Sequence, residues 1–289
     1  MGSVIKQKIV KPSVIKNNSK IVVDMLEQLK KTWKPRVIMR TSRNLGLQII
    51  QRLKKNWSAD TYEKNRNTVN WKTSMLARFL NTGVISIREV WKSLGSTMPG
   101  FERELVFRSF YDCRMFSTSN PKTFTITEFK SPKWTSIKTK KGAHYLELWK
   151  KGMTGVPIVD AAMRCLKETG WMHNRLRMVV ASYLTRILLI DWHEGEKWFA
   201  KCLFDYNATQ NHFGWKGQAA LSKDSNEYWR VMNPYLQSTK YDTQCEFIHQ
   251  WIPELKGVSP NIIHNWEHKY NTVKTTYPQP IIRNHKEAA

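Results

Sequence analysis

Apolar residues recur at helical spacing along almost the whole chain. Ile21, Val22, Met25, Leu26 and Leu29 form one stripe. Ile49, Ile50, Leu53 and Trp57 form another, behind a cap at Ser42. Ser86 and Glu89 make an S-x-x-E capping box that opens IREVWKSL, and Thr73 or Ser74 caps TSMLARFL. Pro99-Gly100 precedes a helix FERELVFRSFYDCRMF. Pro157 opens VPIVDAAMRCLKETG, and Gly170 is placed to end it. MHNRLRMVVASYLTRILLID and GEKWFAKCLFD follow as further helices. Only Thr123 to Phe129 alternates with period two, and one short strand makes no sheet. Residues 117–143, rich in Ser, Thr, Lys and Pro, read as a surface loop between helical blocks. The expected fold is all-α.

Hydrophobic residues make up 41% of the 289, too many for a disordered chain. The most apolar stretch, Met178 to Ile190, is interrupted by Arg186 and is shorter than the roughly 20 apolar residues a bilayer needs. The first residues have no apolar core of a signal peptide, so an intracellular location, wherever DNA is, is expected. Cys113, Cys165, Cys202 and Cys245 are scattered and read as free thiols of a reducing compartment. The net charge of +24 calls for a polyanion, with nucleic acid the first candidate and an anionic membrane surface the second. Residues 1–60 hold 14 Lys/Arg against 3 Asp/Glu. Residues 1–40 are therefore expected to be a basic arm ahead of a helical domain over 41–289.

No GxGxxG or GxxxxGK[ST] run exists, so any nucleotide cofactor is held some other way, for example at a capped helix N-terminus. His264 and His268 are spaced to share a helix face, but no Glu follows His264, and no metal site is expected. Trp171-Met172-His173-Asn174-Arg175-Leu176-Arg177-Met178 is more informative. Arg177 opens an apolar run, so its guanidinium is expected to be buried and to need a carboxylate. Asp205, in Leu203-Phe204-Asp205-Tyr206-Asn207, can supply one. The pair reads either as a structural clasp or as part of a site. Trp192, Trp198 and Trp215 lie close by in sequence and read either as core packing or as stacking and electron-transfer groups.

From GVPIVDAAMRCLKETGWMHNRLRMVVASYL (Gly155 to Leu184) onward the chain closely resembles the DNA photolyase/cryptochrome family. The resemblance continues through LLIDWHEGEKWF, FDYNATQNHFGW, VMNPYLQSTKYD, FIHQWIPEL and YPQPIIRNHKEA, and backward through RELVFRSFY, TSMLARFLNTGVISIREVW and YEKNRN. It covers roughly residues 40–289, and within the family the class I cyclobutane pyrimidine dimer photolyases look most similar. The resemblance implies a helical FAD-binding domain and no metal. Tyr62, Thr73, Ser74, Leu76 and Phe101 would hold the cofactor, Arg177 and Asp205 would pair beside its ring, and Asn207 would lie at the ring edge. Asn211 would face the flavin N5. Arg66, Glu104, Phe107, Asn174, Arg175, Met178 and Gln237 would meet DNA carrying ultraviolet damage. Asn211, Glu104, Trp215 and Trp192 would carry the chemistry: an excited reduced flavin donates an electron to a flipped-out dimer, the ring splits, and the electron returns.

The sequence departs from the family in four ways. A short basic arm stands where the family has an α/β antenna domain, so a separately encoded antenna-domain chain is a candidate partner. Trp215 and Trp192 match the first two members of the family's tryptophan relay, while the third position falls near Thr139 or Lys140, with Trp134 close in sequence. Gly217 and Phe107 stand where the family carries lesion-facing tryptophans. Ala77 replaces a phosphate-contacting Ser, and Asn207 replaces an Asp. The first expectation is a truncated light-dependent photolyase. The others are a cryptochrome-like flavoprotein that binds DNA or a partner without repair, and one half of a split or decaying photolyase, inactive alone.

Overall fold

The first helix of the fold, α1 (Arg43–Asn56), starts where Ser42 accepts a hydrogen bond from the Leu45 N–H, and it buries Ile49, Ile50 and Leu53. The structure, a computed structural model, describes residues 41–118, 133–219, 221 and 231–282. Of the two units into which the chain divides, Met1–Ile38 lies outside those residues, as do the expected basic arm, the stripe at 21–29 and the alternating segment at 123–129.

Short helices follow α1. Ser58 caps α2 (Ala59–Asn65). The capping box expected at Ser86 and Glu89 is present in both directions at the start of α4 (Ile87–Leu94). α5 runs Pro99–Thr118, two residues into the segment expected to be loop. Between α2 and α4 lies α3 (Ala77–Asn81), which corrects an expectation: Leu76, not Thr73 or Ser74, is its N-cap, and no side chain caps it. Met75 sits at φ 54, in the left-handed region, so the chain cannot enter a helix at Ser74. The capped-helix cradle for a phosphate is therefore absent at that point. Helices α1 to α5 share one core, which includes Ile50, Leu53, Phe79, Ile85, Val90 and Leu94.

The second, larger core is built on α6 (Lys140–Lys151), α7 (Pro157–Thr169) and α8 (Asn174–Ser182), with α9 (Trp192–Cys202) and α10 (Ala208–Gln218). Four short helices complete it: α11 (Pro234–Tyr241), α12 (Glu246–Trp251), α13 (Pro260–His264) and α14 (Trp266–Lys269). Thr139 caps α6, so the expected loop ends at Thr139 and not at residue 143. Pro157 and Gly170 bound α7 as expected, with Gly170 at φ 70. The single helix expected over MHNRLRMVVASYLTRILLID divides: α8 gives way to a π-helical turn at Tyr183–Ile187. No strand occurs among the described residues.

α7 is buried on nearly all sides, and Asp160 within it is fully buried. Its carboxylate accepts from the Thr154 N–H and hydroxyl, from the Gly155 N–H and from the Tyr277 hydroxyl, which is how a buried acid avoids a large desolvation cost. Burial pushes Asp160 up from the usual carboxylate range, against the pull of those donors. Tyr277 thereby ties the C-terminal stretch to the centre of the core. His264 and His268 do not share a helix face: Asn265 separates α13 from α14, and the His264 ring bonds Ser238 Oγ and the Thr243 carbonyl.

Gly195 on α9 is required by close approach, since a Cβ there would lie 2.1 Å from the Trp215 ring. Gly195→Ala should destabilise the protein by about 3 kcal/mol, because neither the ring nor α9 can move without opening the core. Denaturant titration checks the loss, and near-ultraviolet circular dichroism reports whether Trp215 is displaced.

Candidate functional site

The two cores meet along a cleft, and the cleft is lined from both sides. The first core contributes Tyr62, Arg66, Thr73, Ser74, Leu76, Phe101 and Glu104. The segment before and into α8 contributes Trp171, Met172, His173, Asn174, Arg175 and Arg177, and Asp205 closes the floor. Of the residues expected to hold a cofactor, Asn207 and Asn211 do not line it. Of those expected to meet DNA, Arg66, Glu104, Asn174 and Arg175 do, whereas Phe107, Met178 and Gln237 do not.

The floor is the Arg177–Asp205 pair. Arg177 Nη2 donates to both carboxylate oxygens, at 3.0 and 2.9 Å, and Nε donates to the Met172 carbonyl at 2.8 Å. The carboxylate is buried, but the Arg177 side chain keeps 26% of its surface exposed, so the buried guanidinium expected from sequence is corrected to a half-buried one that lines the cleft.

Beside it, His173 is buried, and its Nδ1 accepts from the Arg175 N–H at 3.1 Å. That bond places the proton on Nε2, which is buried without a partner. Burial first, then the charges of Arg177 and Arg175, push His173 down to about 4. It is a neutral donor.

The mouth is cationic and aromatic. Arg66 Nη2 donates to Glu104 at 2.8 Å and its guanidinium lies over the Tyr62 ring, while its buried Nη1 makes no hydrogen bond and faces Glu63 at 3.8 Å. Burial, with Glu104 second, pushes the Tyr62 phenol up to about 12, so it stays a donor. Arg175 is held by the Asn67 side-chain oxygen and the face of Tyr241. Trp57 and Trp71 stack at 4.6 Å, and both touch Tyr62, with Phe101 against Trp57 and Tyr62. This aromatic wall was not expected. Trp57 was read as helix stripe and Trp71 was not singled out, because only the fold brings them together.

Outside the cleft, Asn207 caps α10 through Gln210. The Asn211 amide nitrogen donates to the Glu196 carbonyl at 3.2 Å, which leaves its Oδ1 as an acceptor. Phe107 is half exposed on α5 and stacks toward Tyr111. Met178 is half-buried, and the Gln237 side-chain oxygen is buried without a partner. Trp215 is buried and meets Phe199 at 5.0 Å and Trp149 at 6.1 Å; Trp149 was not singled out from sequence. Trp192 is buried, stacked on His193 at 3.9 Å and edge-on to His212. Thr139, at the third relay position, is the α6 cap, and Trp134 packs partly buried against the large core.

The family described as the FAD binding domain of DNA photolyase matches residues 101–289, and the chain belongs to it. The chain is 41% identical over 229 residues to the deoxyribodipyrimidine photo-lyase of Escherichia coli, covering 75% of this chain and 47% of that protein. It is 40% identical over 242 residues to the enzyme of the same name from Buchnera aphidicola, covering 79% and 48%. Its fold superposes on an archaeal photolyase from Sulfolobus tokodaii, solved with two FAD molecules, with a TM-score of 0.73 and 32% identity over 92% of this chain and 58% of that one. It also superposes on a Synechocystis cryptochrome, with a TM-score of 0.70 and 26% identity over 88% and 56%. The chain thus spans about half the length of the curated relatives it matches.

FAD is the cofactor of this family, and the cleft fits it on its own chemistry. The donor His173 Nε2, buried without a hydrogen-bond partner, with Arg66 and Arg177, suits a ligand rich in acceptors, and the aromatic wall suits planar rings.

Two outcomes follow. Asp205→Ala leaves Arg177 without its carboxylate; it should cost about 3 kcal/mol of stability, at the lower end for such pairs because Arg177 reaches solvent, and should abolish FAD uptake. Denaturant unfolding and flavin titration check both. The folded value of His173 lies below that of the unfolded chain. Its neutral ring therefore contributes stability that is full above about pH 6.5 and is lost as the pH falls toward about 4. Between about pH 7 and about pH 4.5 the protein should lose about 2 kcal/mol more than His173→Gln, read by paired denaturant titrations.

Proposed function

We propose that this chain is a light-driven, FAD-dependent DNA photolyase module that splits cyclobutane pyrimidine dimers. One observation carries the reading. A single cleft is lined by Arg177, Asp205, Thr73 and Ser74 together with Arg66, Glu104, Asn174 and Arg175. A pyrimidine dimer swung out of a duplex into that cleft would rest against a cofactor held there. When bound, the cofactor supplies a photoexcited electron that opens the ring and then recovers it.

The rest falls to the chain. Arg177 and Asp205 hold and orient the cofactor; the role of Asn211 toward the ring rests on the family resemblance alone, since it lies outside the cleft lining with its amide on the Glu196 carbonyl. Arg66 and Glu104 offer a paired donor and acceptor that match the carbonyl and N–H groups of a pyrimidine edge. The net charge of +24, with the basic segment 1–40 as an arm on the phosphates, supports salt-sensitive binding to DNA inside the cell. No described helix is long and apolar enough to cross a membrane. In the same reading a separately encoded antenna-domain chain is a second candidate partner, tested by adding such a chain and recording the action spectrum.

Gly217 sets the expected weakness. Among the described residues nothing lies within 4 Å of a Cβ built at Gly217 on α10, and its place against the lesion rests on the family resemblance, since it is not part of the cleft lining. Ultraviolet-damaged duplex incubated with the FAD-loaded chain should lose dimers under blue light and not in the dark; no light-dependent loss overturns the reading. Gly217→Trp should raise the preference for damaged over intact duplex about 10- to 100-fold, since base–aromatic stacking is worth about 1–3 kcal/mol. Competition binding with the two duplexes measures it.

A further inference from the structure

Asn81, at the end of α3, belongs to the first core but bonds into the second. Its Nδ2 donates to the Asp205 carbonyl at 2.8 Å and to the Tyr206 carbonyl at 3.0 Å. Its Oδ1 accepts from Arg108 Nη2 of α5 at 2.6 Å, and from Asn207 Nδ2 at 3.4 Å. One amide therefore joins α3, α5 and the turn that carries Asp205. The Asp205 carboxylate is the sole carboxylate on Arg177 among the described ion pairs, so whatever fixes the Asp205 main chain fixes the floor of the cleft.

Arg108 has a different position. No ion pair involves it among the described residues; an amide oxygen takes the place a carboxylate would hold, while Asp112 and Asp205 act on it at longer range. Burial pushes its guanidinium down from the ordinary value, as expected where charge is short of compensation. Asn207, beside it, is also neutral. The Asp205 side chain faces Arg177 while its main chain is held within one amide of Arg108.

We propose that Asn81 is a positioning residue of the cofactor site: it sets Asp205 through the main chain, and its neutral amide leaves the Arg108 charge to favour a negatively charged cofactor state, the reduced flavin over the oxidised. The inference rests on the flavin reading of the cleft. Position and charge can be tested separately. Asn81→Ala removes both donors from the Asp205 turn and adds no charge. Asn207→Asp keeps the α10 cap, because Asp caps as well as Asn, and adds a carboxylate next to the Asn81–Arg108 bond.

The experiment measures FAD affinity, flavin midpoint potential and the thermal melt of the flavin-free chain for wild type and both variants. Asn81→Ala should weaken FAD binding at least tenfold with the melt nearly unchanged and little change in potential. Asn207→Asp should lower the preference for reduced over oxidised flavin at least tenfold, a drop of about 30 mV for a two-electron couple. Asn81→Ala that binds like wild type, or that lowers affinity only in step with a collapsed melt, overturns the positioning role. An unchanged potential in Asn207→Asp overturns the charge role. A wild-type chain that takes up no flavin overturns the flavin reading and this inference together.

Discussion

The ion pair between Arg177 and Asp205 is the interaction on which the cleft depends. It links the first turn of α8 to the turn that follows α9, two segments 28 residues apart. A carboxylate with 7% of its side-chain surface exposed has lost most of its hydration and needs a cation against it. Arg177 supplies the cation and, through the Met172 carbonyl, is itself aimed by the bend that precedes α8. Asn81 reaches across from the other core to hold the Asp205 main chain. Side-chain charge and backbone position are thus fixed from opposite sides of the cleft, which is what a floor for a ligand requires.

The walls come from close packing. Gly195 lets the Trp215 ring lie directly on α9. Gly155, at φ 75, lets the backbone near Gln279 and Pro280 lie on the start of α7, where Tyr277 meets Asp160. In both places the absent side chain is the device: a Cβ would overlap a ring or a carbonyl, so the approach is open to glycine alone. The large core then presents α8 at a fixed angle to the cleft, and its motif residues become neighbours of Tyr62, Arg66 and Glu104 from the first core.

Much of this was legible in the residues. The Ser42 cap, the Ser86–Glu89 box, the Pro157 and Gly170 boundaries and the all-helical class follow from local rules, and the structure has them. The Arg177–Asp205 pairing was one candidate on chemistry, since a cation at the head of an apolar run needs a partner and Asp205 follows an apolar helix, and the family resemblance implied it. Other features were out of reach. The start of α3 was misplaced because propensity does not show that Met75 is left-handed. The break in the run after Ser182 was missed because a π-helical turn keeps nearly the same apolar pattern as an α-helix. His264 and His268 were given one helix because spacing does not record the interruption at Asn265.

The sequence by itself determined the helical class, the caps, the charge and the family motifs, because each rests on residues within a few positions of one another or on a run specific enough to be recognised. Tertiary structure alone decided that Trp57 stacks on Trp71, that Asn81 spans the two cores, that the ring of His173 keeps a free donor in the cleft, and that Phe107, Asn207 and Asn211 stand outside its lining. Those facts depend on where helices cross and which groups desolvate one another, and the crossing is set by packing between residues as far apart as Asn81 and Asp205.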